Sequence, residues 1–222
     1  MNKIPVLFQD NNILVVNKPA GLSVHNNEDP QNLLQVLEKQ LNLPKMLPVH
    51  RLDKETSGVQ ILALNPKNAA LWAKQFEDKL TRKIYCGLIK GTLKEASGTW
   101  NRSLTDKAEG RKNPQGIAKS RIPCETQFKT LKSNSYFSLC EFNLITGRQH
   151  QIRKHAALDN HAIVGDPRYN DPKYNEKIAK LYAQKRMFLH CTRVEILSST
   201  FVAEMPIEFN SLFNTAPVQS LK

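Results

Sequence analysis

A short segment, VHRLDKETSGVQILALN at residues 49–65, places three reactive side chains at the entrance to an apolar strand. His50, Arg51 and Asp53 precede a run that must be buried, and polar groups in such a position pair with one another or take part in chemistry. The local sequence favours a structural role, in which Asp53 accepts hydrogen bonds from the turn around Thr56 and Ser57. A carboxylate here could instead act as a nucleophile or stabilise a cation. The segment alone leaves both interpretations open.

Several common chemistries have no support in the sequence. It contains no G-x-G-x-x-G, no G-x-x-x-x-G-K-[ST] and no H-E-x-x-H motif, and Ser57 does not stand in a G-x-S-x-G elbow. His150 and His155 are five residues apart, which places them on different faces of a helix, and no cluster of cysteines or acids completes a set of metal ligands. We therefore expect neither a nucleotide cofactor nor a metal.

The charge of the chain indicates a polyanionic partner. It has 32 Lys and Arg against 20 Asp and Glu, a formal net charge of +12, and such a balance most often means nucleic acid. The cations recur at residues 79–83, 102–119 and 148–154, between segments that look folded. This distribution favours a binding face on a folded domain over a disordered basic arm.

Size and cysteine content indicate a reduced globular protein. A chain of 222 residues can bury a core without disulfides. Cys86 and Cys140 lie in strand-like runs and are predicted to be buried free thiols of a cytoplasmic protein. The first residues lack the apolar region of a signal peptide, and no apolar run reaches membrane-spanning length, so we expect no membrane association.

The elements that must position the reactive residues follow from periodicity. Residues 13–17 predict a strand, and a row of leucines at 33, 34, 37 and 41 predicts a helix. A second helix is predicted to begin with Asn65 as N-cap and Pro66 at its first position, with an apolar stripe formed by Ala69, Trp72, Phe76 and Leu80. We interpret both apolar stripes as core.

The second half of the chain predicts more strands and a long polar excursion. Residues 83–90 and 136–144 alternate as strands do, so that Tyr85 and Cys86 face opposite ways. The polar, basic segment at 99–121 is predicted to be a surface excursion that contacts RNA. Further on, a helix is predicted through HQIRKHAAL, a turn at Gly165, a helix over 175–183, and strands at 187–197 and 201–205. The predicted fold class is α+β, with a mixed, mostly antiparallel sheet flanked by helices and loops.

Five segments in fixed order resemble one enzyme family. These are NKPAGLSVH (17–25), HRLDKETSG (50–58), RKIYCGLIKG (82–91), TGRQHQIRKHAALDNHAIVGDPRY (146–169) and FLHC (188–191). Together they are similar to the RluA-type pseudouridine synthases, over a match that runs from about residue 7 to the end. The usual Leu-His-Ala of the family is Leu-His-Cys here. The resemblance implies one pseudouridine-synthase-type catalytic domain over residues 1–222, without an N-terminal S4 domain.

The resemblance also implies a reaction and its catalytic residues. The bond from N1 of uracil to the ribose is broken and the base is rejoined through C5, without hydrolysis, redox change or cofactor. Asp53 becomes the catalytic carboxylate, Arg153 the cation that pairs with it, and Tyr85 the residue that stacks on uracil and assists removal of the C5 proton. The less specific alternatives are that Tyr85 is an aromatic residue of the core and that Arg153 is a cation that binds phosphate. Attack at C6, attack at C1′ and a glycal route remain open for Asp53.

Substrate contacts are expected from a second group of residues: His50, Arg51, Arg148, His150 and Lys154. His50 and Arg51 could instead brace the Asp53 loop. The expected substrate is structured RNA, either ribosomal or transfer RNA, and the protein is expected to act as a monomer. Two other functions stay open, a catalytically silent RNA-binding module and a nucleoside hydrolase that uses the same carboxylate.

Overall fold

The computed structural model describes residues 3–26, 28–29, 31–43 and 45–214. The chain divides into two compact units, unit 1 (residues 1–83 and 190–204) and unit 2 (residues 84–189 and 205–222). One catalytic domain over residues 1–222 without an S4 domain stays a prediction. Within the described ranges, none of the helices has the length and apolar character needed to cross a bilayer.

The strands and helices of the described ranges are numbered in chain order. The strands are β1 (Val6–Gln9), β2 (Ile13–Lys18), β3 (Leu47–Pro48), β4 (Ser57–Ala63), β5 (Arg82–Lys90), β6 (Ser97–Trp100), β7 (Thr126–Ser133), β8 (Phe137–Leu144), β9 (Leu189–Ile196) and β10 (Ser199–Val202). The helices are α1 (Leu33–Leu41), α2 (Pro66–Glu77), α3 (Gln151–Leu158), α4 (Pro172–Tyr182) and α5 (Glu208–Asn214).

Unit 1 is built around β2 and β4, which pair antiparallel over their whole lengths. β1 adds to the outer side of β2, and β3 pairs with β4. β4 runs parallel to β9 through a short contact, Ser57 with His190 and Gly58 with Cys191. Ser57 and Gly58, which were predicted to be turn residues, therefore begin a strand. The core of unit 1 joins β2 and β4 to α1 through Leu14, Leu62 and Leu37.

Local capping explains where the helices of unit 1 begin. Asn32 caps α1 in a capping box with Gln35. Asn65 caps α2 as predicted, accepting from the N–H of Asn68, with Pro66 at the first position. The stripe of α2 is shorter than predicted, because the helix ends at Glu77 and Leu80 lies beyond it, 64% exposed.

Unit 2 contains an antiparallel sheet in the order β5, β8, β7, β6, in which β6, β7 and β8 are successive neighbours and β5 pairs with β8. A core cluster joins it to α4 and α5, with Leu88, Phe137, Ile178 and Phe209 fully or almost fully buried. β7 and α5 were not predicted, and β7 was missed because charged and polar residues fill its exposed positions. The surface excursion predicted at 99–121 is present with shifted bounds, because Thr99 and Trp100 belong to β6. Residues 101–125 contain only a short 3₁₀ turn at 118–120 and a bridge between Leu104 and Ile122. Strand pairing is mixed and mostly antiparallel, so the predicted α+β class is confirmed.

The approach of β4 to β9 generates a test of stability. Gly58 has φ +114, and a Cβ at this position would overlap the main-chain carbonyl oxygen of Cys191. We expect Gly58→Ala to lower the free energy of unfolding by about 3 kcal/mol or more, because both the backbone conformation and the space exclude a side chain. Denaturant titration of the purified variant measures the change.

Gly110→Ala is the matched control, since a Cβ at Gly110 meets no atom within 4 Å. Equal stability of the two variants would show that β4 and β9 are not held as closely as the structure has them.

Candidate active site

Asp53 lies in the loop between β3 and β4 and is partly buried. The predicted turn is present, but the N–H of Thr56 donates to the main-chain oxygen of Asp53, at 3.1 Å. The main-chain oxygen of Asp53 is therefore an acceptor in this turn, and the catalytic role of its carboxylate stays a prediction.

Gln60 fixes the chain just before Asp53. Its side chain is fully buried in β4, where Nε2 donates to the carbonyl of His50 at 2.7 Å. Its Oε1 accepts from the N–H of Leu52 at 3.1 Å. One buried amide thus satisfies two main-chain groups of a segment that is not in a strand, and this holds the approach to Asp53 rigidly.

His50 braces β4 through its ring. The N–H of Ile61 donates to its Nε2 at 3.0 Å, so the ring proton of the neutral form lies on Nδ1. The ring stacks on Phe76 with centroids 4.6 Å apart. Burial, followed by the nearby charge of Lys83, lowers the pKa of His50 to about 3. These contacts fit the bracing alternative for His50, and its predicted substrate contact stays a prediction.

Lys18 is a site residue to which the sequence analysis gave no role. Its side chain is fully buried, and Nζ donates to the carbonyls of Leu22, Pro19 and Lys54 at 2.7, 3.1 and 3.2 Å. The carbonyl of Lys54 also accepts from the N–H of Gly21, at 2.8 Å. The residue after Asp53 is thereby tied to the NKPAG segment. A lysine at the end of an apolar strand, followed directly by proline, was the available signal.

Arg51 is the exposed cation of this loop. Its Nη1 lies 3.4 Å from Nε2 of His25, and both residues are exposed. An exposed guanidinium beside Asp53 in sequence remains a candidate for contact with RNA, and that role stays a prediction.

Arg153 lies on α3 in unit 2 and is 1% exposed. Its Nε and Nη2 form a forked pair with the two carboxylate oxygens of Asp166, at 2.7 and 2.9 Å. The guanidinium also lies over the ring of Tyr169, 5.3 Å from its centroid. A cation so deeply buried is not a surface phosphate anchor, so that alternative does not fit.

Lys154, the next residue, is also internal. It is fully buried, and Nζ donates to the carbonyl of Thr105 at 2.8 Å. This contact ties α3 to the 101–125 segment. The predicted substrate contact of Lys154 stays a prediction.

Arg148 and His150 lie where α3 begins. The side chain of Arg148 is 30% exposed, with Nη1 3.7 Å from a carboxylate oxygen of Asp106. His150 precedes the helix in the left-handed conformation, φ 57, and its Nδ1 lies 3.0 Å from the hydroxyl of Tyr169. Their predicted substrate contacts stay predictions.

Tyr85 stands in β5 opposite Phe142 and is 8% exposed. Its neighbours Ile84, Cys86 and Gly87 are buried as well, because both faces of this strand are covered. Alternation along the strand therefore does not separate a catalytic tyrosine from a core aromatic, and the role of Tyr85 stays a prediction.

The basic 101–125 segment is tied to α3 at several points. Besides the contact from Lys154, Nη1 of Arg102 donates to the carbonyl of Leu158 at 2.9 Å, and Asp106 accepts from the N–H of Gln149 at 2.8 Å. Five cations of the segment are exposed: Arg102, Lys107, Arg111, Lys112 and Lys119. The segment is thus anchored at its base and presents positive charge to solvent.

Fold and site together define an RNA-modifying enzyme. The model of the family described as RNA pseudouridylate synthase matches residues 12–158, a stretch that contains the Asp53 loop, Tyr85 and Arg153. The chain belongs to the RNA pseudouridylate synthase family, isomerases that act on RNA, and the RluA-type assignment from the sequence is confirmed.

Similar proteins support the assignment across most of the chain. An RNA pseudouridine synthase of Bacillus subtilis, YhcT, is 34% identical over 215 residues, 92% of this chain and 68% of that protein. A tRNA pseudouridine synthase C of Pasteurella multocida is 33% identical over 211 residues, 86% of this chain and 84% of that protein. A ribosomal large subunit pseudouridine synthase C of Vibrio vulnificus is 30% identical over 213 residues, 93% of this chain and 64% of that protein.

Solved structures share the fold. Human RNA pseudouridylate synthase domain containing 4 superimposes with a TM-score of 0.78 at 24% identity, over 94% of this chain and 92% of that one. Human RNA pseudouridylate synthase domain containing 1 gives the same TM-score at 22% identity, over 99% and 91% of the two chains.

The lowered pKa of His50 predicts how stability depends on pH. The folded protein holds this ring neutral down to about pH 3, whereas the unfolded chain protonates it near 6.5. The unfolded state therefore binds more protons as the pH falls below 6.5, and stability is lost in that direction. We expect the wild type to lose up to about 1.4 kcal/mol per pH unit more than His50→Gln, whose amide does not titrate. Denaturant titrations from pH 7 downwards measure the difference, and parallel profiles would show that His50 is charged in the folded protein too.

Proposed function

We propose that this protein converts specific uridines of ribosomal or transfer RNA to pseudouridine, with Asp53 as the catalytic carboxylate. The observation that carries the proposal is the bracing of the Asp53 loop by Gln60 and Lys18, two buried polar side chains. A turn whose only task is to connect two strands does not need such fixing, whereas a catalytic group does. The proposal includes a monomeric protein in the cytoplasm, where both RNA classes are present.

The reaction is an isomerisation that needs no added reactant. The N1–C1′ bond breaks, the uracil turns, a C5–C1′ bond forms, and the proton on C5 is finally lost while N1 gains one, so that atoms and electrons balance. The carboxylate of Asp53 supplies the negative charge that starts the reaction on the base or the sugar. Tyr85 stacks on the uracil and assists loss of the C5 proton.

Arg153 is proposed as the cation that keeps the catalytic carboxylate charged. A carboxylate in a site that excludes water gains a proton unless a cation offsets the cost of burial. The pair with Asp166 uses Nε and Nη2 of the guanidinium and fixes its plane. A planar guanidinium can bind two carboxylates at once, a geometry that a flexible ammonium does not offer.

RNA binding is assigned to the exposed cations. A uridine within folded RNA must leave its stack, at a cost of a few kcal/mol that phosphate contacts offset. Arg51 and Arg148 retain exposed surface, and the 101–125 segment adds Lys107, Arg111, Lys112 and Lys119. Because this segment is anchored to α3, its cations form a defined surface.

The first test replaces Asp53. A pseudouridine map of RNA from cells with and without the gene identifies the substrate, and that RNA, transcribed without modification, serves for assays. We expect Asp53→Asn, which keeps the shape and removes the charge, to abolish pseudouridine formation with RNA affinity nearly unchanged. Lys119→Ala, an exposed cation, is the contrasting variant and should weaken binding and lower the salt slope by about one unit.

Nucleoside analysis of the product separates the alternatives. Pseudouridine supports the synthase, free uracil would indicate a hydrolase, and RNA unchanged by the wild type would indicate a binding module. Substantial turnover by Asp53→Asn would remove the proposed role of the carboxylate.

The second test asks whether Arg153 does more than hold Asp166. We compare Arg153→Lys, which keeps the charge but loses the planar fork, with Asp166→Asn, which weakens the internal pair and keeps an oxygen for the N–H groups of Arg168 and Tyr169. If Arg153 serves catalysis, single-turnover rates at saturating enzyme should fall roughly 100-fold or more for Arg153→Lys and much less for Asp166→Asn. Equal losses in the two folded variants would restrict Arg153 to a structural pair with Asp166.

A further inference from the structure

His190, in the FLHC segment, makes a hydrogen bond to the end of the Asp53 loop. Its Nδ1 lies 2.8 Å from the hydroxyl oxygen of Ser57, and both residues are buried, at 0% and 3% exposure. The two side chains lie on the same side of the sheet, because Ser57 and His190 are partners in the parallel pairing of β4 and β9. The contact joins residues 133 positions apart in sequence.

The second ring nitrogen fixes the direction of this hydrogen bond. Nε2 of His190 lies 3.3 Å from the carbonyl oxygen of Ala203, just after β10. A carbonyl can only accept, so Nε2 carries a proton, and the neutral ring then presents Nδ1 as an acceptor. The hydroxyl of Ser57 donates to it. The ring is held from the far side by the main chain of Ala203, whose N–H in turn donates to the carbonyl of Thr192 at 2.9 Å.

The fixed hydroxyl determines where the Asp53 loop ends. Ser57 follows Thr56, whose N–H donates to the carbonyl of Asp53. Gly58, the next residue, is in close backbone approach to Cys191, where no side chain fits. The loop is thus held by Gln60 before Asp53, by Lys18 directly after it, and by His190 and Cys191 at its end.

We propose that His190 is a positioning residue for the reaction, which acts by accepting the hydrogen bond from the Ser57 hydroxyl and thereby setting the position of Asp53. This rests on the proposed role of Asp53 as the catalytic carboxylate. Because the loop is short and anchored on both sides, a shift at Ser57 is passed on to Asp53. A displacement of about 1 Å at a reacting group can lower a rate roughly 100-fold, with substrate binding unaffected.

Two substitutions of His190 separate its two hydrogen bonds. His190→Asn places an amide oxygen close to the former Nδ1 and keeps the acceptor for Ser57. His190→Gln places an amide nitrogen close to the former Nε2, which keeps the donor to Ala203 and loses that acceptor. We expect the single-turnover rate at saturating enzyme to fall about 10- to 100-fold for His190→Gln, to recover largely in His190→Asn, and the Kd for RNA to stay the same in both.

Ser57→Ala tests the same bond from its other end. It should slow turnover by about the same factor as His190→Gln, and the double variant should be no slower than either single one, since all three remove one interaction. Ser138→Ala is the matched control, because Ser138 is another buried strand serine, whose hydroxyl donates to the carbonyl of Gly91 in unit 2 at 2.8 Å. It should lose stability without losing rate.

Three results would overturn the proposal: normal turnover by Ser57→Ala, equal slowing by His190→Asn and His190→Gln in folded proteins, or loss of RNA affinity with an unchanged single-turnover rate. Thermal unfolding of every variant shows which are folded. If the His190 variants are not folded, Ser57→Ala tests the proposal by itself. Asp53→Asn is measured alongside. If it is active, the assignment of the carboxylate fails, whereas if it is inactive and Ser57→Ala is normal, only the role of His190 fails.

Discussion

The backbone contact of Gly58 with Cys191 is the constraint on which the structure of unit 1 depends. Two main chains approach so closely there that a Cβ would overlap a carbonyl. The contact fixes the register of β4 on β9, and with it the face on which each later residue of β4 lies. Gln60 is thereby directed to the approach of the Asp53 loop, and Ser57 to His190.

A loop anchored in this way has main-chain N–H and C=O groups in the interior that do not pair with a strand. Side chains have to form hydrogen bonds with these groups. Gln60, Lys18 and His50 each bond to the main chain of the loop or of β4. Burying an amide, an ammonium and an imidazole is costly unless each finds a partner, and here each does. These hydrogen bonds fix the position of Asp53. Apolar packing would specify it less closely, because it is non-directional.

Helix α3 also has charged side chains in the interior of the protein. Its sequence looks like a basic helix, yet Arg153 and Lys154 are buried and bonded to Asp166 and to the carbonyl of Thr105. Exposed positive charge lies instead on the 101–125 segment, which α3 anchors. The helix organises the basic surface without supplying most of its charge.

The sequence by itself determined the family, the α+β class and the local elements. Five ordered segments identify the enzyme, the Asn65-Pro66 cap begins α2 as predicted, and Leu33 and Leu37 are core. These features depend on neighbours in the chain, which periodicity and capping reveal. Only the tertiary structure decided which polar residues are internal. Lys154 meets a carbonyl 49 residues away and Ser57 meets a histidine 133 residues away, so no local pattern separates them from surface residues. β7 was not predicted for a related reason. It is a strand because it pairs with a neighbour on each of its two edges, and its composition does not indicate this.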